Sequence, residues 1–99
     1  MEAFSFPAQP RALVLDTDAE AGAALVAALD GLGLQAHFAS RPNAASALLQ
    51  VADQEQAPFK LLIISRMVGG ICGLNLGCAM RARLVVPPVF FISSGPFGA

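Results

Sequence analysis

The stretch FKLLIIS, residues 59–65, decides the fold class of this chain. Five of its seven residues are large and apolar, and they do not alternate with polar residues. Such a continuous run is typical of a central strand in a parallel sheet whose two faces are both covered by helices. Ligands of open α/β sheets bind beyond the carboxyl ends of the strands, so Ser65, which ends the run, is the first candidate functional residue.

Three other segments have the pattern of strands. Residues 12–15 and 89–93 are short apolar runs that predict buried strands. Residues 34–39 predict a weaker strand, because Gln35 and His37 alternate with apolar residues as on the edge of a sheet. Residues 1–10, with two prolines and no periodicity, are interpreted as a leader.

Helices are predicted between these strands, over residues 19–32, 42–52 and 74–84. Asp18 or Thr17 can cap the first helix, and Pro42 opens the second, where a missing N–H is tolerated. Apolar residues recur at helical spacing on one face of each helix. These predicted faces are Leu25, Leu29 and Leu32, then Ala45, Leu48, Leu49 and Ala52, then Leu76, Met80 and Leu84. The alternating order predicts a doubly wound parallel α/β sheet.

Composition narrows the range of functions. Only 13% of the residues are charged and the net charge is −1, so neither a nucleic acid nor a membrane is expected as a partner. A cytoplasmic location is expected, because the N-terminus lacks the features of a signal peptide. Cys72 and Cys78 fit neither a redox nor a zinc motif, and His37 is interpreted as a strand residue.

Residues 66–73 form a predicted loop with three glycines. Their spacing matches neither GxGxxG nor a P-loop, so a phosphate cradle is not favoured.

Several segments together resemble the CheY-like receiver domain of bacterial response regulators. The matching segments are ALVLDTD at 12–18, LLIIS at 61–65, GICGL at 70–74 and PVFFISS at 88–94, in register over about residues 11–95. The resemblance implies a flavodoxin-like sheet with strand order 2-1-3-4. It also implies that residues 11–99 are a receiver domain truncated after the fourth strand, without the last helix, strand and helix and without the signalling lysine.

The departures from the receiver pattern concern its phosphorylation site. The family holds a magnesium ion with two adjacent carboxylates and a third, phospho-accepting one, whereas this chain has Asp16, Thr17 and Ser65 at those positions. A hard divalent cation prefers several anionic oxygens, so we expect magnesium binding to be weak or absent and no cofactor to be needed. Ser65 would form a stable ester and has no neighbouring base. The expected degenerate pocket comprises Asp16, Thr17, Ser65, Met67 and Ser93.

The truncation would leave the fourth strand at the edge of the sheet. An apolar strand edge is a template for another chain, so the expected interaction surface comprises Val89, Phe90, Phe91 and Ile92.

Three functions are therefore compared. The first is a non-enzymatic pseudo-receiver in two-component-type signalling, which binds a protein partner or forms a homodimer independently of phosphorylation. The second is a fragment of a longer response regulator or hybrid kinase. The third is a flavodoxin-like domain that binds a small ligand at the glycines of residues 69–73. An enzyme with Ser65 as nucleophile is disfavoured, because the serine lacks the glycines of a nucleophile elbow.

Overall fold

The computed structural model describes residues 10–93, which contain three helices and six strands. Their bounds are β1 Arg11–Leu15, α1 Ala19–Gly31, β2 Gln35–Ala39, α2 Pro42–Gln54, β3 Leu61–Ser65, β4 Met67–Val68, β5 Ile71–Cys72, α3 Gly73–Arg81 and β6 Val89–Ser93. Most of the predicted leader, together with residues 94–99, lies outside the described residues.

Four strands form one parallel sheet in the order β2-β1-β3-β6. This arrangement confirms the predicted fold class and strand order, with β6 as the fourth strand of the sheet. The apolar run at residues 59–65 supplies β3, which pairs with β1 on one side and with β6 on the other. It is a central strand, as its sequence predicts.

The two faces of the sheet are covered unequally. On one face, α2 and α3 enclose the larger core, which includes Leu13, Leu49, Phe59 and Leu62. On the other face, α1 packs over β1 and β2, while Leu61 and Ile63 of β3 are only partly buried. The α1 face therefore leaves the β3–β6 half of the sheet more open than the opposite face does.

The start of α1 has the predicted cap. Asp18 has extended backbone angles, and its Oδ1 accepts hydrogen bonds from the backbone N–H groups of Glu20 at 3.0 Å and Ala21 at 3.2 Å. These bonds satisfy donors that the first helical turn would otherwise leave unpaired. Asp18 is therefore engaged in the helix start.

Residues 66–73 are not the open loop that the sequence analysis predicted. Met67 and Val68 pair antiparallel with residues 71–72 to form a short hairpin, β4–β5. Gly69 and Gly70 form its turn with φ of +58° and +82°. Two successive positive φ values favour glycine and match a two-residue hairpin turn. The hairpin brings Val68 into the core, where it is fully buried.

Three predicted helix-face residues are placed differently. Leu32 is 76% exposed, because α1 ends at Gly31 and Leu32 lies in the turn that follows. Leu48 is also exposed, while its neighbour Leu49 faces the core. The third helix ends at Arg81, so Leu84 lies beyond it, although it still packs against the larger core.

Candidate functional site

The carboxyl edge of the sheet brings three predicted site residues into one row. The β3–β6 ladder pairs Ser65 directly with Ser93. The β1–β3 ladder ends at the pair of Leu15 and Ile64, so the next residue of each strand, Asp16 and Ser65, continues the same register. The backbone thus places Asp16, Ser65 and Ser93 across β1, β3 and β6, where ligands of parallel sheets bind.

Asp16 is the carboxylate of this row, and it is only 8% exposed. Its Oδ1 accepts a hydrogen bond from the backbone N–H of Asp18 at 2.9 Å, as in an Asx turn. Its own N–H donates to the carbonyl of Ala39 at 3.1 Å. Thr17 is exposed between the two aspartates. One oxygen of Asp16 is therefore already engaged in shaping the turn between β1 and α1.

Ser65 is half-buried at the end of β3, two residues before the hairpin β4–β5 begins. The backbone of Arg66, the next residue, is hydrogen-bonded to both β6 and α3. Its N–H donates to the carbonyl of Ser93 at 3.0 Å, and its carbonyl accepts from the N–H of Gly73 at 2.8 Å. Met67 starts the hairpin and is half exposed. The row is thus bordered by a short hairpin, and backbone hydrogen bonds connect the residue before this hairpin to β6 and α3.

Gly73 allows α3 to start directly against the end of β3. A Cβ at this position would lie 2.1 Å from the carbonyl oxygen of Ser65, which is far inside ordinary contact distance. Only glycine fits there without moving the backbone. No local sequence pattern indicates this role, because it depends on a contact between residues of different elements.

The row does not fit the magnesium ion that the receiver resemblance implies. Within residues 10–93, no group of three or more histidine, cysteine, aspartate or glutamate side chains could hold a metal ion. Asp16 contributes one carboxylate, and Asp18 is bonded to the first turn of α1. Thr17 and Ser65 offer neutral hydroxyls, which are poor substitutes for the anionic oxygens that a hard cation prefers.

The glycines of residues 69–73 have structural uses that differ from the phosphate cradle considered for them. Gly69 and Gly70 make the hairpin turn, and the N–H of Gly73 is bonded to the carbonyl of Arg66. The first N–H of α3, that of Gly73, is therefore paired with the backbone and does not face an anion.

Within residues 10–93, His37 and the two cysteines join no group that could hold a metal ion. His37 is in β2, as expected. Its ring packs edge-to-face against the ring of Phe59, with the two ring centroids 5.5 Å apart. Cys72 and Cys78 are free and exposed.

The predicted interaction surface divides between the two faces of β6. Val89 and Phe91 are in register with Leu61 and Ile63, so they lie on the open α1 face, where they are 61% and 56% exposed. Ile92 is also exposed. Phe90 lies on the opposite face and packs against the larger core, next to α3. The exposed apolar strip is therefore formed mainly by Val89 and Phe91.

The connection from α3 to β6 is held by a residue just beyond the helix predicted over residues 42–52. Asp53 belongs to α2, and its two carboxylate oxygens accept from the N–H groups of Val85 at 2.9 Å and Val86 at 3.1 Å. The bonded residues are more than thirty positions apart in the chain, so no local pattern indicates the contact.

No helix within residues 10–93 is long and apolar enough to cross a membrane. No protein-family model matches the chain, and no curated protein matches its sequence.

Solved structures do resemble the chain. A CheY-like response regulator receiver domain from Methylobacillus flagellatus superposes with a TM-score of 0.69 at 19% sequence identity, covering 85% of this chain and 68% of that one. A fusion protein that carries part of the trimeric coiled coil of yeast Spc42 superposes with a TM-score of 0.66 at 16% identity. That match covers 95% of this chain and 60% of the fusion protein. The chain therefore has the fold of a CheY-like receiver domain.

Proposed function

We propose that this chain is a receiver-like signalling domain that lacks phosphotransfer and acts by binding a protein. The observation that carries the proposal is the composition of the row at the carboxyl edge: one carboxylate, Asp16, beside the hydroxyls of Ser65 and Ser93. A receiver with this row has neither a carboxylate acceptor nor a cage for magnesium.

The chemistry of Ser65 supports the loss of phosphotransfer. For its hydroxyl oxygen to attack phosphorus, a base must take the hydroxyl proton. The chain has one histidine, His37, in register with Leu13 and through it with Leu62, three residues before Ser65. Two strand spacings and three residues along the strand separate the two backbones by roughly 14 Å. His37 is therefore too far away to act as that base. The neighbouring carboxylate, Asp16, already accepts a hydrogen bond from the N–H of Asp18 through its Oδ1.

The surface supports a binding role. Val89 and Phe91 expose apolar area on the half of the sheet that α1 leaves open. Apolar area of this kind on a sheet is typical of an interaction site. The proposal includes a cytoplasmic location.

The test is incubation of the full chain with acetyl phosphate and Mg²⁺, followed by intact mass spectrometry before and after mild hydroxylamine treatment. The expected result is an unmodified protein under conditions that phosphorylate a receiver with a carboxylate acceptor, run in parallel. A phosphoryl adduct that hydroxylamine removes would be an acyl phosphate and would overturn the proposal.

A further inference from the structure

The direction of the backbone groups on β6 determines what can pair with its outer edge. The N–H of Val89 donates to Lys60, and the carbonyl of Ser93 accepts from Arg66, both at 3.0 Å. In a parallel ladder, the N–H and carbonyl of one residue point to the same neighbour, and those of the next residue point away from it. Residues 89, 91 and 93 therefore face β3, while Phe90 and Ile92 direct their N–H and carbonyl groups outward.

Within the described residues, the outward edge of β6 lacks the usual protection against pairing. No neighbouring strand lies on that side of β6 within residues 10–93. Natural edge strands are commonly protected by charged side chains, by proline or by a covering helix. Residues 85–93, VVPPVFFIS, contain no charged residue, and their prolines come before the strand. Two copies of this segment can approach each other without repulsion between like charges.

We propose that β6 pairs antiparallel with β6 of a second copy of the chain, about a two-fold axis at Phe91. This inference rests on the proposed function, because it names the protein that the domain binds. The antiparallel arrangement follows from closed two-fold symmetry, in which the same patch is used on both subunits.

The register follows from the outward residues. Placing Phe90 opposite Ile92 of the second copy makes both symmetry-related pairs hydrogen-bonded, so all the outward N–H and carbonyl groups are used. Shifting the axis to Phe90 or Ile92 leaves half of these groups without a partner. An axis at Phe91 therefore pairs the largest number of outward N–H and carbonyl groups of β6.

The same register joins the exposed apolar strips. Phe91 lies opposite Phe91 of the second copy in a non-hydrogen-bonded pair, in which the two Cα atoms are about 4.5 Å apart and the side chains are closest. Both Phe91 side chains lie on the open α1 face, and Val89 faces Ser93 of the second copy. Five residues from each chain make an interface below the roughly 1,200 Å² of standard stable complexes, so we expect a weak dimer that forms at high protein concentration.

Disulfide trapping tests the register directly. In the full chain, Cys72 and Cys78 are first replaced by serine, and Phe91→Cys, Val89→Cys or Ser93→Cys is then introduced. Cα atoms at position 91 meet within the range that a disulfide bridges, whereas two copies of position 89, or of position 93, lie about 14 Å apart.

Under mild oxidation, Phe91→Cys should form a disulfide dimer at least tenfold faster than either Val89→Cys or Ser93→Cys alone. A mixture of the Val89→Cys and Ser93→Cys chains should cross-link to each other, which keeps the test valid if the change at Phe91 disturbs folding. Sedimentation velocity of the unmodified chain should show a dimer fraction that rises with concentration.

Equal cross-linking rates at positions 89, 91 and 93 would overturn the two-fold register. A chain that stays monomeric at high concentration, as expected if β6 is covered by residues of its own chain or by another protein, would overturn the self-pairing while leaving the proposed loss of phosphotransfer intact. A dimer that also forms an acyl phosphate would support the self-pairing and refute the proposed function.

Discussion

Three glycine-to-alanine changes test how closely α3 packs against the end of β3. At Gly73 the added Cβ would meet the Ser65 carbonyl oxygen at 2.1 Å, and at Gly77 it would meet the ring of Phe90 at 2.5 Å. At Gly31, near the end of α1, it would meet nothing within 4 Å. A contact below 3.0 Å requires the neighbouring atoms or the backbone to shift, so the same added methyl group should change the stability differently at the three sites.

The expected change in the free energy of unfolding depends on whether the atoms that the new Cβ would contact can move. The carbonyl of Ser65 is part of the backbone of β3, so Gly73→Ala should lower the free energy of unfolding by about 3 kcal/mol or more, the upper range for overpacking. The ring of Phe90 can rotate, and alanine is the better helix former by about 1 kcal/mol, so Gly77→Ala should lose roughly 0–2 kcal/mol. Gly31→Ala should gain about 0.5 kcal/mol through the lower entropy of the unfolded chain.

Urea denaturation followed by circular dichroism measures these differences. For a domain of this size, each kcal/mol corresponds to about 4–8 °C in Tm, so the loss at Gly73 should also be plain in a thermal melt. Gly31→Ala serves as the matched control, because it makes the same change in a helix without a packing contact. If Gly73→Ala were as stable as the unmodified chain, the close approach of α3 to Ser65, and with it the shape of the row, would be refuted.

Two further predictions concern the α3–β6 connection and the row. Asp53→Asn should lower the free energy of unfolding by about 1–3 kcal/mol, because it removes a charged acceptor of the N–H groups of residues 85–86. The control, Glu55→Gln, should change the free energy of unfolding by less than about 0.5 kcal/mol. Equal effects of the two changes in urea denaturation would refute the role of Asp53. Thr17→Asp combined with Ser65→Asp should create Mg²⁺ affinity, seen by calorimetry and as about 1.4 kcal/mol of added stability at ten times the Kd. The neutral pair Thr17→Asn and Ser65→Asn should bind none, and equal behaviour of the two pairs would contradict the placement of Asp16 beside Ser65.

The sequence predicts those features of the fold that depend on neighbouring residues. The strand β3 is a continuous apolar run, Asp18 precedes a helical pattern, and Pro42 opens α2, so each element is visible locally. The order of these elements then places Asp16 and Ser65 at the same edge of the sheet. The row is therefore predictable from periodicity and topology together.

The features that sequence analysis missed depend on contacts between distant residues or on a short turn. The dipeptide Gly69–Gly70 between two apolar pairs is a signal for a two-residue hairpin, but a strand of two residues has too little pattern to predict. Leu32 continues the apolar spacing of α1 past its end. The roles of Asp53 and Gly73 require the positions of other elements, which no window of the sequence contains.

The row and the open edge meet at Ser93, and this position links the two parts of the proposed function. The carbonyl of Ser93 holds Arg66 at the start of the hairpin, while Ser93 itself ends β6, the strand with the free edge. Pairing of β6 about Phe91 would place Val89 of the second copy opposite Ser93, beside the row. A domain that binds its partner through this edge would therefore use a surface next to the row of Asp16, Ser65 and Ser93. The neutral hydroxyls of Ser65 and Ser93 leave that surface without the charge that a phosphorylated carboxylate and its magnesium ion would bring there.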